Sequence, residues 1–309
     1  MLHILWSILP IFVLIVLGNL LRRNGIPSVK FWNLNDKLVY WVLFPSLLFY
    51  KTSTSDLSGD LLGPFAASIL TGLVAAVATS LIVGRLFGFK GAQGTSILQG
   101  AARHNTFIAL AIAERLFGLE GLALAAAMTA TLIPPTNILV ISLMNVMLRH
   151  GGPGGLWRPV AKDLARNPLI LSVILGVGVN ILNIGVIPVV HETAEMLGRA
   201  ALPIVLLAVG ANIRVREMRA AVGPIAIATT VKFLVFPSAA LAMCWTLGIT
   251  GVPAYIIAIF AAMPTASSSF TIAREMGGDA PLVAGMITLQ TLLSLITVPI
   301  TLVIARSLF

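Results

Sequence analysis

Apolar runs of about 20 residues recur along the chain, each ended by charged residues or a Gly/Pro joint, and about that length is needed for a helix to cross a bilayer. Divided at those joints, the sequence predicts ten spans, near 4–21, 34–51, 62–86, 95–117, 119–148, 167–184, 193–213, 220–247, 253–276 and 280–307. The second and seventh have short uncharged cores, Leu38 to Tyr50 and Ala200 to Ile213. Two spans carry polar residues in their middle. In the ninth, Pro264 lacks a backbone N–H, and Thr265, Ser267, Ser268 and Ser269 are residue types that start helices sooner than continue them. Two half-helices meeting at Thr265 are expected, and in a bilayer such a break persists where the freed backbone lines a polar cavity. A proline-kinked helix whose hydroxyls bond back to their own carbonyls is the simpler alternative.

The landmarks of the first half return in the second. Pro10, Gly18 and Pro45 recur as Pro168, Gly176 and Pro203 at an offset of 158. Gly63-Pro64, Ile112-Ala113 and Gly118 recur as Gly223-Pro224, Ile272-Ala273 and Gly278 at an offset of 160. Constant spacing of Pro and Gly is harder to obtain by accident than a match between apolar runs. Five spans per repeat is an odd number, so the second copy enters the membrane from the opposite side, the architecture of an inverted-repeat transporter. The expected fold is therefore all-α and polytopic, with repeats 1–150 and 151–309 and broken helices at spans four and nine. The Gly-Gly-Pro-Gly-Gly stretch at 151–155 belongs to the linker between halves.

Composition sharpens this picture. The 309 residues are 58% hydrophobic and 10% charged, with mean hydropathy +1.00, which excludes an ordinary soluble domain. The formal charge of +9 comes from basic residues spread over loops, so topology explains it and a nucleic-acid surface does not. With the N-terminus outside, fourteen Lys and Arg fall in cytoplasmic loops and only Lys51, Arg115 and Arg306 fall outside. That bias predicts a multi-pass protein of the cell (inner) membrane with both termini extracytoplasmic. The N-terminal segment lacks a basic n-region and a cleavage site and is expected to be a retained span. The lone Cys244 offers neither a disulfide nor a cysteine metal cluster. No metal or cofactor is expected.

The repeat lays Thr265 on Asn105, inside Gln99-Gly100-Ala101-Ala102-Arg103-His104-Asn105-Thr106, another polar interruption. N-termini of the two second half-helices would then meet near the midplane, each with roughly half a positive charge, and together they form an anion site. Asn105, Thr265, Ser268 and Ser269 are the expected side-chain donors, the last three sharing a face by their i, i+3, i+4 spacing. Arg103 and Lys232 add positive charge inside spans, where a charge normally faces a cavity or a partner. A snorkelled Arg103 and a purely structural Lys232 are the plainer alternatives. His104 is a candidate for proton handling or for helix packing. None of the eleven carboxylates falls in mid-span, so neither an acidic proton relay nor an all-carboxylate sodium site is visible. Pro134-Pro135 followed by Thr136-Asn137 is expected to shape span five and not to contact substrate. A passive anion channel is the nearer rival to a transporter. An intramembrane enzyme is the farther one, since no His-Glu-x-x-His, Gly-x-Ser-x-Gly or aspartate pair is present.

Ala262-Met263-Pro264-Thr265-Ala266-Ser267-Ser268-Ser269, with Ala273-Arg274 and Gly277-Gly278-Asp279, resembles the second crossover of the auxin efflux carrier family. Arg103-His104-Asn105-Thr106 with Phe117-Gly118 is similar to the first crossover of bacterial members. The resemblance covers essentially the whole chain. It implies a scaffold of spans 1, 2, 6 and 7, a transport domain of spans 3–5 and 8–10, and often a homodimer built through the scaffold. It also implies alternating access for a small organic anion, such as auxin in plant members and malonate in some bacterial ones. Two departures stand out: the long cytoplasmic loop of many plant carriers is missing, and so is the proline that plant relatives carry at the first crossover.

Overall fold

Helix follows the apolar runs and stops where the polar interruptions fall. The computed structural model describes residues 2–54, 59–148, 166–214 and 221–309. The predicted interhalf linker and its basic residues Arg149, Arg158 and Lys162 lie outside the described residues, as do Arg216 and Arg219. The first half comprises α1 (Leu2–Arg23), α2 (Val29–Leu38), a π-helical turn (Val39–Leu43), α3 (Phe44–Thr54), α4 (Gly59–Leu86), α5 (Gly91–Ala102) and α6 (Thr106–Leu148). The second comprises α7 (Pro168–Ile181), α8 (Val190–Ala211), α9 (Val222–Thr230), a second π-helical turn (Val231–Val235), α10 (Phe236–Thr246), α11 (Gly251–Ala261), α12 (Ser268–Met276) and α13 (Ala280–Leu308). Among the described residues there is no strand.

Both π turns end at a Phe-Pro pair, Phe44-Pro45 and Phe236-Pro237, and in each the Phe N–H bonds to the carbonyl five residues back. Proline supplies no N–H and its ring crowds the carbonyl four residues earlier, so one widened turn lets the helix continue through it. The long α6 bends at Gly118, whose φ of 60° and ψ of −141° are not helical, at the joint predicted between spans four and five.

Among the described residues, six stretches are long and apolar enough to cross a membrane: Ile4–Arg23, Gly63–Leu86, Gly91–Leu148, Val190–Ala211, Val222–Thr246 and Ala280–Leu308. The chain is thus an all-helical, multi-pass membrane protein. The third stretch has 58 residues, more than one hydrocarbon core of about 30 Å can hold as a straight helix, and it is broken at 103–105 and at Gly118. Pro168–Ile181 and Gly251–Ala261 are apolar but shorter than a full crossing.

Local geometry repeats between the halves. The turn after α1 bonds Asn24 N to Leu20 O, Gly25 N to Arg22 O and Ile26 N to Leu21 O; the turn after α7 makes the same three bonds at an offset of 158. The turns after α4 and α10 match at an offset of 160, with Gly88 and Gly248 both left-handed at φ 76° and 66°. Helix contacts follow suit: α1 packs on α8 and α3 on α7. A Cβ on Gly18 would overlap the Leu207 carbonyl, and one on Gly176 would crowd the Phe49 carbonyl. Both partners of the first contact become those of the second at the offset of 158, so each close approach requires glycine for the same reason. The broken helices lie innermost. From Gly94 to Ala102 and from Ile256 to Thr265 every residue is buried, wrapped by α4, α6 and α13.

Candidate functional site

The two breaks touch. Helix α5 ends at Ala102, Arg103 turns to an extended conformation, and α6 starts at Thr106. On the other side the chain leaves α11 at Ala261 and re-enters helix at Ser268. Asn105 N donates to the Pro264 carbonyl at 2.7 Å, and Thr265 Oγ1 lies 2.8 Å from the Gly100 carbonyl. Gln290 of α13 ties the breaks together, its Oε1 accepting from Thr265 N at 2.9 Å and its Nε2 donating to Gly100 O at 3.0 Å. Some of the carbonyls and amides freed by the broken helices therefore find partners across the junction, as a backbone in hydrocarbon must find them somewhere.

Arg103, Asn105, His104 and Ser268 line one cavity of about 800 Å³. The Arg103 guanidinium donates to Asn137 Oδ1 at 2.8 Å and to Ser268 Oγ at 3.1 Å, both neutral. Buried hydrogen bonds of a cation are strong because the surrounding dielectric is low, and they fix where its charge sits. Asn105 has a divided role. Its Oδ1 accepts from Phe107 N and Ile108 N at 3.1 and 3.2 Å, capping α6, while its buried Nδ2 has no hydrogen-bond partner. Capping consumes the N–H groups that the sequence left open for an anion at this terminus. No side chain caps α12, and Ser269 N and Phe270 N in its first turn bond instead to the Ala266 and Ser267 carbonyls at 3.0 and 3.2 Å, so this terminus too is less open than the sequence predicted.

Three of the expected donors stand apart from the cavity lining. Thr265 lies in the non-helical stretch, bonded to Gly100 and Gln290, so the expected shared face with Ser268 and Ser269 does not form. Ser269 is buried with its hydroxyl unpartnered, and Lys232 is buried in the second π turn with Nζ 4.5 Å from the Phe236 ring centroid. Five basic side chains, Arg22, Lys37, Arg103, Arg214 and Arg274, line the cavity against one acid, Asp36. Arg22 reaches the Ala211 carbonyl and Asn212 Oδ1, each at 3.0 Å, and Arg214 stacks over Phe270 at 4.3 Å. Low-dielectric walls concentrate the field of these charges, which are mostly positive. A second cavity of about 580 Å³, bordered by Lys51, Glu114, Arg115, Glu195 and Arg199, carries charges of both signs.

Residues 156–302 match the family described as membrane transport protein. An uncharacterized transporter of Methanothermobacter thermautotrophicus is 25% identical over 301 residues, covering 95% of this chain and 96% of its own length. Another from Methanocaldococcus jannaschii is 22% identical over 298 residues, 94% of this chain and 95% of its own. Over its second half the chain matches the membrane transport protein family, the auxin efflux carriers, and over nearly its whole length it is similar to two transporters. It is a membrane transporter.

Two residues of this transporter's junction escaped the sequence reading. Asn137 was expected only to help shape span five, and it holds Arg103 instead. Gln290 is a lone carboxamide in the apolar α13, buried completely. Its signal was available, since an uncharged amide in mid-span needs partners as a charge does, and the junction's orphaned backbone is where they are found.

Proposed function

We propose that the transporter carries a small organic anion by alternating access, binding it in the Arg103 cavity beside the junction of the broken helices. The observation that carries this reading is Arg103 itself: a guanidinium at the break, steadied by neutral Asn137 and Ser268, in a lumen whose other charges are mostly basic. Asn105 Nδ2 and the Ser268 hydroxyl are the neighbouring donors, with Thr265, Ser269 and Lys232 supporting the junction from behind.

The reading extends to ten spans in two inverted five-helix repeats, residues 1–150 and 151–309. Matching turns at constant offsets and the reciprocal contacts of Gly18 and Gly176 support it. Spans 1, 2, 6 and 7 form the scaffold and the remaining spans move, with a homodimer built through the scaffold. Both termini lie outside the cytoplasm, so the basic cavity opens inward and the mixed-charge cavity faces out. Reporters fused after Phe309 and within 151–155 will then report opposite sides, and a shared side removes the inverted repeat.

Thermal stabilisation by acetate, malonate, succinate and benzoate identifies the anion size that binds. Asn105→Ala or Ser268→Ala then weakens binding of the best ligand about 10- to 150-fold, the loss of about 1.5–3 kcal/mol for one hydrogen bond to a charged group. Folded variants that both bind like the wild type would move the substrate elsewhere. Saturable, trans-stimulated flux in proteoliposomes separates a carrier from an anion channel.

A further inference from the structure

Lys232 is the side chain that this function does not absorb. It sits in the π turn between α9 and α10, fully buried, and Nζ has no hydrogen-bond partner. Phe236 beneath it packs against α4, where a Cβ on Gly72 would come within 2.9 Å of the ring, and the amine lies 4.5 Å from the centroid of that ring. The elements packed on this turn are α4, α5, α9 and α10. Their charged and titratable residues, among those described, are Asp60 and Arg85 near the two ends of α4 and Cys244 in α10, with Arg103 and His104 just beyond α5. The one carboxylate, Asp60, stands twelve residues along α4 from Gly72, about 18 Å along the helix axis, so no carboxylate of these elements lies where the turn packs. His104 is within electrostatic reach of both Lys232 and Arg103, and it lines the cavity that Lys232 does not.

An ammonium enclosed in apolar surroundings with no acceptor and no counter-charge is costly, and the ring face offsets that cost only in part. An anion arriving in the cavity that His104 lines supplies the missing counter-charge through a low-dielectric interior. We propose that Lys232 is a proton-binding site coupled to the anion site: the free amine takes one proton from solvent as the anion enters and returns it as the anion leaves. The balance is simple, R–NH₂ plus H⁺ giving R–NH₃⁺, with buffer as the donor and His104 as the side chain between lumen and amine. One monoanion and one proton then cross together without net charge.

The proposal presupposes that an organic anion occupies the cavity, and the test separates the two. Calorimetry of the wild-type protein with the best binder among acetate, malonate, succinate and benzoate, repeated in buffers of different ionisation enthalpy, counts protons taken up per anion. One proton is expected, with affinity weakening about tenfold per pH unit where uptake is complete. Lys232→Met, which folds without a buried amine, and Lys232→Arg, whose charge is permanent, should both bind anion with no uptake and a flat pH profile. His104→Gln should keep the stoichiometry. Anion binding without proton uptake in the wild type overturns the Lys232 assignment and leaves the anion site standing. Uptake that survives Lys232→Met and vanishes in His104→Gln moves the proton to the imidazole and likewise overturns it. If none of the four carboxylates binds, the anion reading fails, and this assignment fails with it.

Discussion

The two helix breaks stand at equivalent places, and they are built by different means. At the second, Pro264 interrupts the backbone bonding by itself, followed by hydroxyl residues, and six residues, 262–267, separate the end of α11 from the start of α12 at Ser268. At the first there is no proline, yet the helix stops for Arg103, His104 and Asn105. That break is held locally by the Asn105 side chain, which caps α6, and from outside by the Pro264 carbonyl, which accepts from Asn105 N, and by Asn137, which accepts from Arg103. One break is written locally and stabilises the other. The two termini also differ in what closes them: the Asn105 side chain takes the N–H groups of Phe107 and Ile108 in α6, while the Ala266 and Ser267 carbonyls take those of Ser269 and Phe270 in α12.

Replacement of Asn105 by Asp is the severest test of that contrast. The carboxylate keeps an oxygen to cap α6, removes the Nδ2 donor and places negative charge in the lumen. Stability should hold while carboxylate binding weakens at least about 100-fold, close to 2.7 kcal/mol. Equal losses of folding and binding would show that the cap and the donor are not separable.

Next in size is Gln290→Leu, which strands Thr265 N and removes a donor from Gly100 O. A loss of about 2–3 kcal/mol in unfolding free energy is expected from buried groups left unpaired. An effect near zero would mean that the junction repacks without its carboxamide tie.

Asn105→Ala removes the cap outright and should cost about 1 kcal/mol of stability beyond its effect on binding. The smallest change should be Pro264→Ala, below about 1 kcal/mol, because Thr265 N is already committed to Gln290 and the Pro264 carbonyl to Asn105. A melting temperature for Pro264→Ala below that of Asn105→Ala would show that the junction rests on the proline itself and not on the bonds made across it.

Much of the architecture was legible in the chain because membrane insertion reads a one-dimensional property. Apolar length, Gly/Pro joints and charged loops marked where helices lie, and α1, α4, α10 and α13 end within a few residues of their predicted limits. The break at Pro264 was equally legible, since a missing N–H is a property of one residue. Constant offsets between landmarks pointed to turns that proved to share their hydrogen bonds. Partners were not legible. That Asn105 spends its oxygen on its own helix, that Thr265 turns toward Gln290 and Gly100, and that Lys232 lies behind the cavity are outcomes of three-dimensional packing. Each is a choice among acceptors that lie far apart in sequence, as Arg103 and Ser268 do at a separation of 165 residues. Composition and spacing determined which groups need a partner in a solvent that offers none; only the tertiary structure decided which partner each one found.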